Sequence, residues 1–242
     1  VVDDGPTDGT AEVVSRFPRA RLVTRPSSGG FARAVNDGAA VARGEFLLLV
    51  NNDVLVPADA VSELESALAA MRPEVFAAVP RIIRPDGSDE SLLRCRFELG
   101  LARTGAGRGT AYPSGACCMV RSGAWRLLGG FSTVYSPAYW EDVDLGLRAA
   151  AAGLSTARIQ GLSVEHRHSA SFGSAPGVGR LRERNRFILM HRHFGSPGRR
   201  VETAALFPLH AVAAILGGRG AEFLGGWLDF LAWRRRNRDG SG

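Results

Sequence analysis

At 242 residues, 45% of them hydrophobic and 22% charged, the chain is long enough for one large domain with an appended segment and can bury a core without disulfides. Thirty basic residues against 24 acidic ones give a formal charge of +6, and all thirty are arginine. The absence of lysine excludes a Walker A loop, a protein-kinase fold, a Schiff-base aldolase and a pyridoxal-phosphate enzyme, each of which needs an amine.

Val1 and Val2 read as the end of a strand that runs into the turn residues Asp3, Asp4, Gly5, Pro6, Thr7, Asp8 and Gly9, and Thr10 to Phe17 has helical spacing. Arg21 to Thr24 is a short strand and Phe31 to Ala42 a helix ended by Gly44. Glu45 to Val50 is an apolar run of the kind a doubly covered parallel strand shows. After Asn51, Asn52 and Asp53, the pattern predicts a helix from Ala58 to Met71, a strand from Val75 to Ile83 and a polar turn at Pro85, Asp86 and Gly87. Such alternation predicts an α/β fold, an open and mostly parallel sheet flanked by helices, with ligands at the carboxyl ends of the strands. Gly105, Gly107 and Gly109 lack the GxGxxG spacing and read as a loop.

Pro113 to Arg121 is a segment of small residues, followed by a short helix to Leu128. A second helix opens at Trp140 and is stopped by Gly153, and a strand from Leu162 to Val164 delivers Glu165, His166, Arg167 and His168. From Gly173 a Gly/Pro/Ser linker leads to an Arg-rich helix over Leu181 to Phe194. The apolar stretches Ala204 to Leu216 and Ala221 to Trp233 follow, separated by Pro208, His210 and the break at Gly217 to Gly220. Each is shorter than the roughly twenty residues of a membrane span. Cys95, Cys117 and Cys118 have no zinc spacing and read as reduced, buried side chains.

Four constellations carry chemistry, each with a bland alternative. Asp3 and Asp4 can accept hydrogen bonds from a base and a ribose, or serve as an Asx turn or helix cap. Asn51, Asn52 and Asp53 place hard oxygen ligands at the rim of a sheet, a partial site for Mg²⁺ or Mn²⁺ or an ordinary strand-to-helix turn. Glu141, Asp142 and Asp144 begin one helix after Tyr139 and Trp140; the helix dipole favours such residues, and the same position holds an ionised carboxylate as a general base. His166 and His168 alternate along a strand end, so only one faces a given site, as a metal ligand or as a satisfied loop residue.

In order, VVDDGPTDGT (Val1 to Thr10), GFARAVNDGAAVARGEFLLLVNND (Gly30 to Asp53), PSGACCMVRSGAWRLLGGFSTVYSPAYWEDVDL (Pro113 to Leu145) and VEHRHSAS (Val164 to Ser171) resemble the inverting glycosyltransferase family 2, with its GT-A (Rossmann-like) fold. The resemblance spans about residues 1 to 195. It implies that Asp3 and Asp4 bind the donor nucleoside, Asp4 facing the base, with Asn36, Asn51 and Asn52 in the donor site. It implies Mg²⁺ or Mn²⁺ at Asp53 and His166, bridging the donor diphosphate. Asp142 is then the base that deprotonates an acceptor hydroxyl, with Trp140 and Glu141 facing the acceptor. The implied reaction transfers a sugar with inversion from a dTDP- or UDP-linked donor to a glycan or lipid-linked acceptor in cell-envelope polysaccharide synthesis. The run Arg184, Asn185, Arg186, with the HRHS stretch before it, is similar to rhamnosyltransferase-like members.

Asn51 stands where the family's DxD pattern has its first acid, leaving charge compensation to Asp53. The family also has a strand and helix upstream of the VVDD segment, so the chain is expected to be a fragment, with two sheet edges left unpaired. The expected division is a catalytic domain over 1–175, with a nucleotide-sugar half over 1–110 and an acceptor half over 111–175, and a helical segment over 176–242. Trp227, Trp233, Arg234, Arg235, Arg236 and Arg238 would let that segment lie on an anionic membrane surface, or it packs as a helical pair on the catalytic domain or in a homodimer. The implied location is cytoplasmic, peripheral on the inner face of the membrane. A catalytically silent nucleotide-sugar-binding or scaffolding homologue is the second reading. Nucleic acid is disfavoured because the arginines are scattered among acids.

Overall fold

The computed structural model describes residues 1–5, 8–91, 93–168 and 175–238. Pro6 and Thr7 of the first turn, the last three residues of the VEHRHSAS stretch, Gly173 and Ser174 of the linker fall outside them. The chain divides into two compact units, Val1–Leu92 with Ala111–Arg167, and Leu93–Thr110 with His168–Gly242.

The first unit contains β1 (Val2–Asp4), α1 (Thr10–Ser15), β2 (Val23–Arg25), α2 (Phe31–Val41), β3 (Phe46–Val50), β4 (Val54–Leu55), α3 (Ala60–Ala70) and β5 (Val75–Ile83). The chain then passes through β6 (Arg94–Glu98), β7 (Leu101–Gly105) and β8 (Thr110–Ala111) of the second unit and its boundary. It returns with β9 (Cys117–Arg121), α4 (Ser122–Leu128), a 3₁₀ turn at Thr133–Tyr135, α5 (Glu141–Ala151) and β10 (Ser155–His166).

Five strands form the main sheet in the order β3-β9-β5-β10-β4. Only β5 and β10 pair in parallel; β9 is antiparallel to both β3 and β5, and β4 is antiparallel to β10. The α/β class is as expected, and the sheet is mixed. The reason lies in the small-residue segment: Cys117, Cys118 and Val120 are fully buried in β9, which inserts between two strands that run the same way. The run Glu45 to Val50, expected as a doubly covered parallel strand, is instead an edge strand with β9 on one side, and Val50 is 41% exposed. β1 and β2 form a separate parallel pair, so β1 and β3 each present one edge without a strand partner among the described residues.

Both faces of the sheet are covered. Ala77, Val79 and Val120 belong to the cluster with Leu145 and Ala149 of α5, and Ala78 and Met119, on the opposite face, to the cluster with Leu64 and Leu68 of α3. Fully burying such side chains contributes about 1.5–3 kcal/mol each. The net direction is common to β3, β5 and β10, so their carboxyl ends, and whatever follows them, share one rim.

In the second unit β6 and β7 form an antiparallel hairpin, and β8 adds to β6. Charged residues interrupt both five-residue strands, which hid them from sequence periodicity. Gly109, φ +126°, has the Cys95 carbonyl oxygen 2.4 Å from where a Cβ would stand, so the approach of this strand to its neighbour needs glycine. The helices are α6 (Val178–His193), α7 (Pro197–Leu216) and α8 (Gly220–Arg238). Pro208, expected as a break, lies inside α7. One backbone hydrogen bond is forfeited there, and the preceding Phe207 packs against Phe187, Phe223 and Trp227 of the neighbouring helices. Gly226 lets α6 and α8 touch: a Cβ there would lie 2.4 Å from Glu183 Cβ and 2.8 Å from the Arg180 carbonyl oxygen. No helix among the described residues is long and apolar enough to cross a membrane.

Candidate active site

Asp4, at the end of β1, organises the loop that leads into α2. Its carboxylate accepts from Ser28 Oγ (2.8 Å), Gly29 N–H (2.9 Å) and Gly30 N–H (2.9 Å), and pairs with Arg25 Nε at 2.8 Å. Burial works to raise its pKa, and these donors together outweigh it and hold the carboxyl below its ordinary range. Both oxygens are thus occupied by the protein. Asp3, one residue earlier and on the opposite side of the strand, is 8% exposed, and its Oδ2 is buried with no hydrogen-bond partner among the described residues. Of the two expected nucleoside ligands, Asp3 therefore has the unused acceptor.

Asn36, expected in donor binding, ties two elements together. Its Nδ2 donates to the Phe131 carbonyl (2.8 Å) and its Oδ1 accepts from the Phe131 N–H (2.9 Å), joining α2 to the turn after α4 across 95 positions of sequence. The paired bonds fix the turn that leads toward the acidic helix and leave the amide a second N–H.

At the end of β3, the Asn51 N–H donates to the Ala116 carbonyl at 2.9 Å. The neighbouring Gly115 N–H donates to Asp142 Oδ2 at 3.3 Å, and the Val143 N–H to Asp142 Oδ1 at 2.8 Å. Two adjacent residues of one loop therefore hold the NND turn on one side and Asp142 on the other. Burial dominates the electrostatics of Asp142 and raises its pKa, against the pull of the Val143 and Gly115 N–H groups. A carboxylate so placed is a stronger base than an exposed aspartate.

Glu141 is 5% exposed, and burial, then the neighbouring Asp142, push its pKa up to about 8. Its Oε2 is buried with no hydrogen-bond partner among the described residues. Burial and the neighbouring Asp142 thus favour its protonated form more than that of an exposed glutamate. The segment that delivers the pair is forced: Tyr139 and Trp140 have φ of 77° and 80°, left-handed values that cost large side chains about 1–3 kcal/mol each and gather at functional sites. It is pinned to α2, where the Phe31 N–H donates to the Pro137 carbonyl at 2.8 Å and Gly30 leaves no room for a Cβ, 2.4 Å from the same oxygen.

Asp144, the third carboxylate of the cluster, is structural. It is fully buried, accepts from Tyr135 Oη (3.0 Å) and Arg148 Nε (2.7 Å), and the same guanidinium donates to the carbonyls of Leu128 and Gly130.

At the next strand end, Asp53 and His166 come together, Oδ1 to Nε2 at 3.2 Å, because Val54 of β4 stands opposite His166 in the register with β10. The other ring nitrogen, Nδ1, is bonded to Glu90. The Glu90 bond is the largest influence on the imidazole and raises its pKa; burial opposes it and Asp53 adds to it. Glu90 also accepts from Arg84 Nε at 2.7 Å. It was missed in the sequence, although the acidic run Asp86, Asp89, Glu90 follows a strand end, where such groups matter. β10 ends at His166, and His168 has φ +44°, so the strand alternation expected to set the two histidines on opposite faces does not reach His168. Asn51 enters through its backbone, and Asn52 is exposed at the same turn.

The NND turn, the Asp53–His166–Glu90 group and Asp142 with Glu141 thus lie at the carboxyl ends of strands and the start of α5, and Asp3 lies in β1 of the separate β1–β2 pair. A mixed α/β sheet covered by helices on both faces is the GT-A architecture, which solved glycosyltransferases share. One solved relative in fold is the Pyrobaculum calidifontis mannosyltransferase PcManGT, in complex with GDP-Man and Mn²⁺, with TM-score 0.58, 16% identity, 95% of this chain and 76% of that one. Another is GalNAc-T7 with UDP, GalNAc and Mn²⁺, with TM-score 0.59 and 13% identity over 78% of this chain, which spans 41% of GalNAc-T7. The chain belongs to glycosyltransferase family 2: the family's sequence profile, described as Glycosyl transferase family 2, matches residues 1–127. It is 28% identical over 211 residues to an N-acetylglucosaminyl-diphospho-decaprenol L-rhamnosyltransferase of Mycobacterium tuberculosis, covering 73% of this chain and 68% of the relative.

Proposed function

We propose that the chain transfers a sugar, rhamnose in the first instance, with inversion from a nucleoside-diphosphate donor, dTDP- or UDP-linked, to a hydroxyl of a glycan or lipid-linked acceptor. The observation that carries this is the pair of adjacent N–H and carbonyl contacts from Gly115 and Ala116, which fastens a raised-pKa carboxylate, Asp142, next to the NND turn of the donor side. Asp142 takes the acceptor proton as the hydroxyl oxygen attacks the anomeric carbon, the bond from that carbon to the diphosphate breaks, the nucleoside diphosphate leaves, and this single displacement inverts the centre. Asp3 receives the nucleoside through its unused oxygen, and Asp4 shapes the loop around it. Trp140 and Glu141 position the acceptor.

The donor set at Asp53 and His166 fits a divalent ion: carboxylate oxygen suits Mg²⁺ and Mn²⁺, imidazole extends the choice toward Mn²⁺, and Glu90 on the far nitrogen leaves Nε2 directed at Asp53. Such an ion supplies charge neutralisation for a diphosphate. Asn51 leaves that charge to Asp53.

The reading is tested by supplying dTDP-rhamnose or UDP-sugars with a diphospho-prenyl-linked N-acetylglucosamine acceptor and reading the product's anomeric configuration by NMR. An inverted product is expected; a retained one, or no transfer with any donor, contradicts it. The fold of the second unit supports peripheral contact with an anionic membrane, because α7 exposes Val201, Leu209, Val212, Ile215 and Leu216. Co-sedimentation with anionic vesicles is expected, and its absence removes this location.

A further inference from the structure

The helices of the second unit line a partly open cavity that the transfer reading does not use. α7 returns antiparallel to α8, as Phe207 meets Phe223 and Trp227 (ring centroids 5.3 and 4.9 Å) while Ile215 meets Gly220. Phe187 of α6 stands at the centre, 4.9 Å from the Trp227 ring. The cavity measures about 360 Å³, within the range of small-molecule sites, about 300–1,000 Å³. Phe187, Met190, Phe207, Trp227 and Phe230 are among its walls.

Two guanidiniums line the same cavity: Arg200, near the start of α7 and beside Gly195, and Arg234, near the end of α8. The antiparallel course of α7 and α8 brings these helix ends to one end of the bundle. Arg234 Nε is buried without a hydrogen-bond partner among the described residues. A buried donor left without an acceptor is costly, so this end of the cavity is complementary to an anion. An inorganic anion would leave the aromatic walls uncovered, and an uncharged hydrocarbon would leave the donor unmet.

We propose that this cavity binds the hydrocarbon chain of a lipid phosphate, with the phosphate group at Arg200 and Arg234. The proposal stands on the second unit alone and goes beyond the transfer reading, so either can fail without the other.

The test is calorimetric titration of the full chain, below micelle concentrations, with dodecyl phosphate, dodecyl maltoside and inorganic phosphate. Dodecyl phosphate is expected to bind at least about tenfold more tightly than either of the others, since charge-assisted hydrogen bonds contribute enough for such a factor. Arg234→Gln is expected to weaken it about tenfold, and Ala204→Trp, which fills the cavity from its wall, to abolish it. Thermal midpoints show that the variants fold, and Arg200→Gln replaces any that does not. Equal binding of dodecyl maltoside, binding no tighter than inorganic phosphate, or binding unchanged by the folded variants overturns the proposal.

Discussion

Asp142→Asn is expected to lower kcat by about a hundred- to ten-thousandfold, the range over which a positioned general base acts. The substitution keeps the shape of the side chain and one of the two oxygens, enough to accept from Val143 at the start of α5 while the longer Gly115 bond is given up, so nucleotide binding is expected to be retained. What is lost is the proton acceptor. A fall in kcat with an unchanged nucleotide-induced thermal shift is therefore the expected pattern; a variant that turns over normally removes Asp142 from the chemistry. The pH profile gives a second reading of the same group. Because burial raises the pKa of Asp142, kcat/KM falls on the acid side at a higher pH than the 3.8 of an ordinary aspartate would give. The sign follows from the base being active only when ionised.

Arg148→Ala is expected to destabilise the first unit by about 3–5 kcal/mol, because it leaves the fully buried Asp144 carboxylate without its cation. The guanidinium also donates to the Leu128 and Gly130 carbonyls, so the turn between α4 and the acidic helix loses its tie at the same time. At roughly 2–4 °C per kcal/mol for a chain of this size, the melting midpoint falls by roughly 6–20 °C. Asp144→Asn in the Arg148→Ala background is expected to recover part of the loss, since it removes the unpaired charge. A single variant that melts with the parent would show that the pair contributes little to stability.

These two residues also show what a sequence reading can and cannot reach. Glu141 and Asp142 were legible because a helix start concentrates carboxylates and two aromatics precede them, but nothing local separates the base from Asp144, whose role depends on Arg148 one turn later and on Tyr135 and Leu128 outside the helix. The strands β3 and β5 and helices α2, α3 and α5 follow from periodicity within one or two residues of their observed ends. Periodicity is silent on pairing, so β9, a run of small buried residues, did not announce that it would enter the sheet antiparallel and place β3 at an edge. Asn36 and Glu90 reach partners 95 and 76 positions away, and only the folded chain reveals that one is a clamp and the other the support of His166. Asp4 carried the expected motif and yet spends both oxygens on its own loop, leaving Asp3 with the open acceptor.

The central claim, a nucleotide-sugar site with a divalent ion at Asp53, is tested most directly by thermal shift. The chain is melted with UDP, dTDP and GDP, each with and without Mn²⁺, beside Asp53→Ala, because a ligand that binds only the folded state raises the midpoint. A shift with one nucleotide that requires Mn²⁺ and disappears in Asp53→Ala is the expected result. A shift that ignores Mn²⁺ and survives Asp53→Ala, or none with any nucleotide, would contradict the assignment.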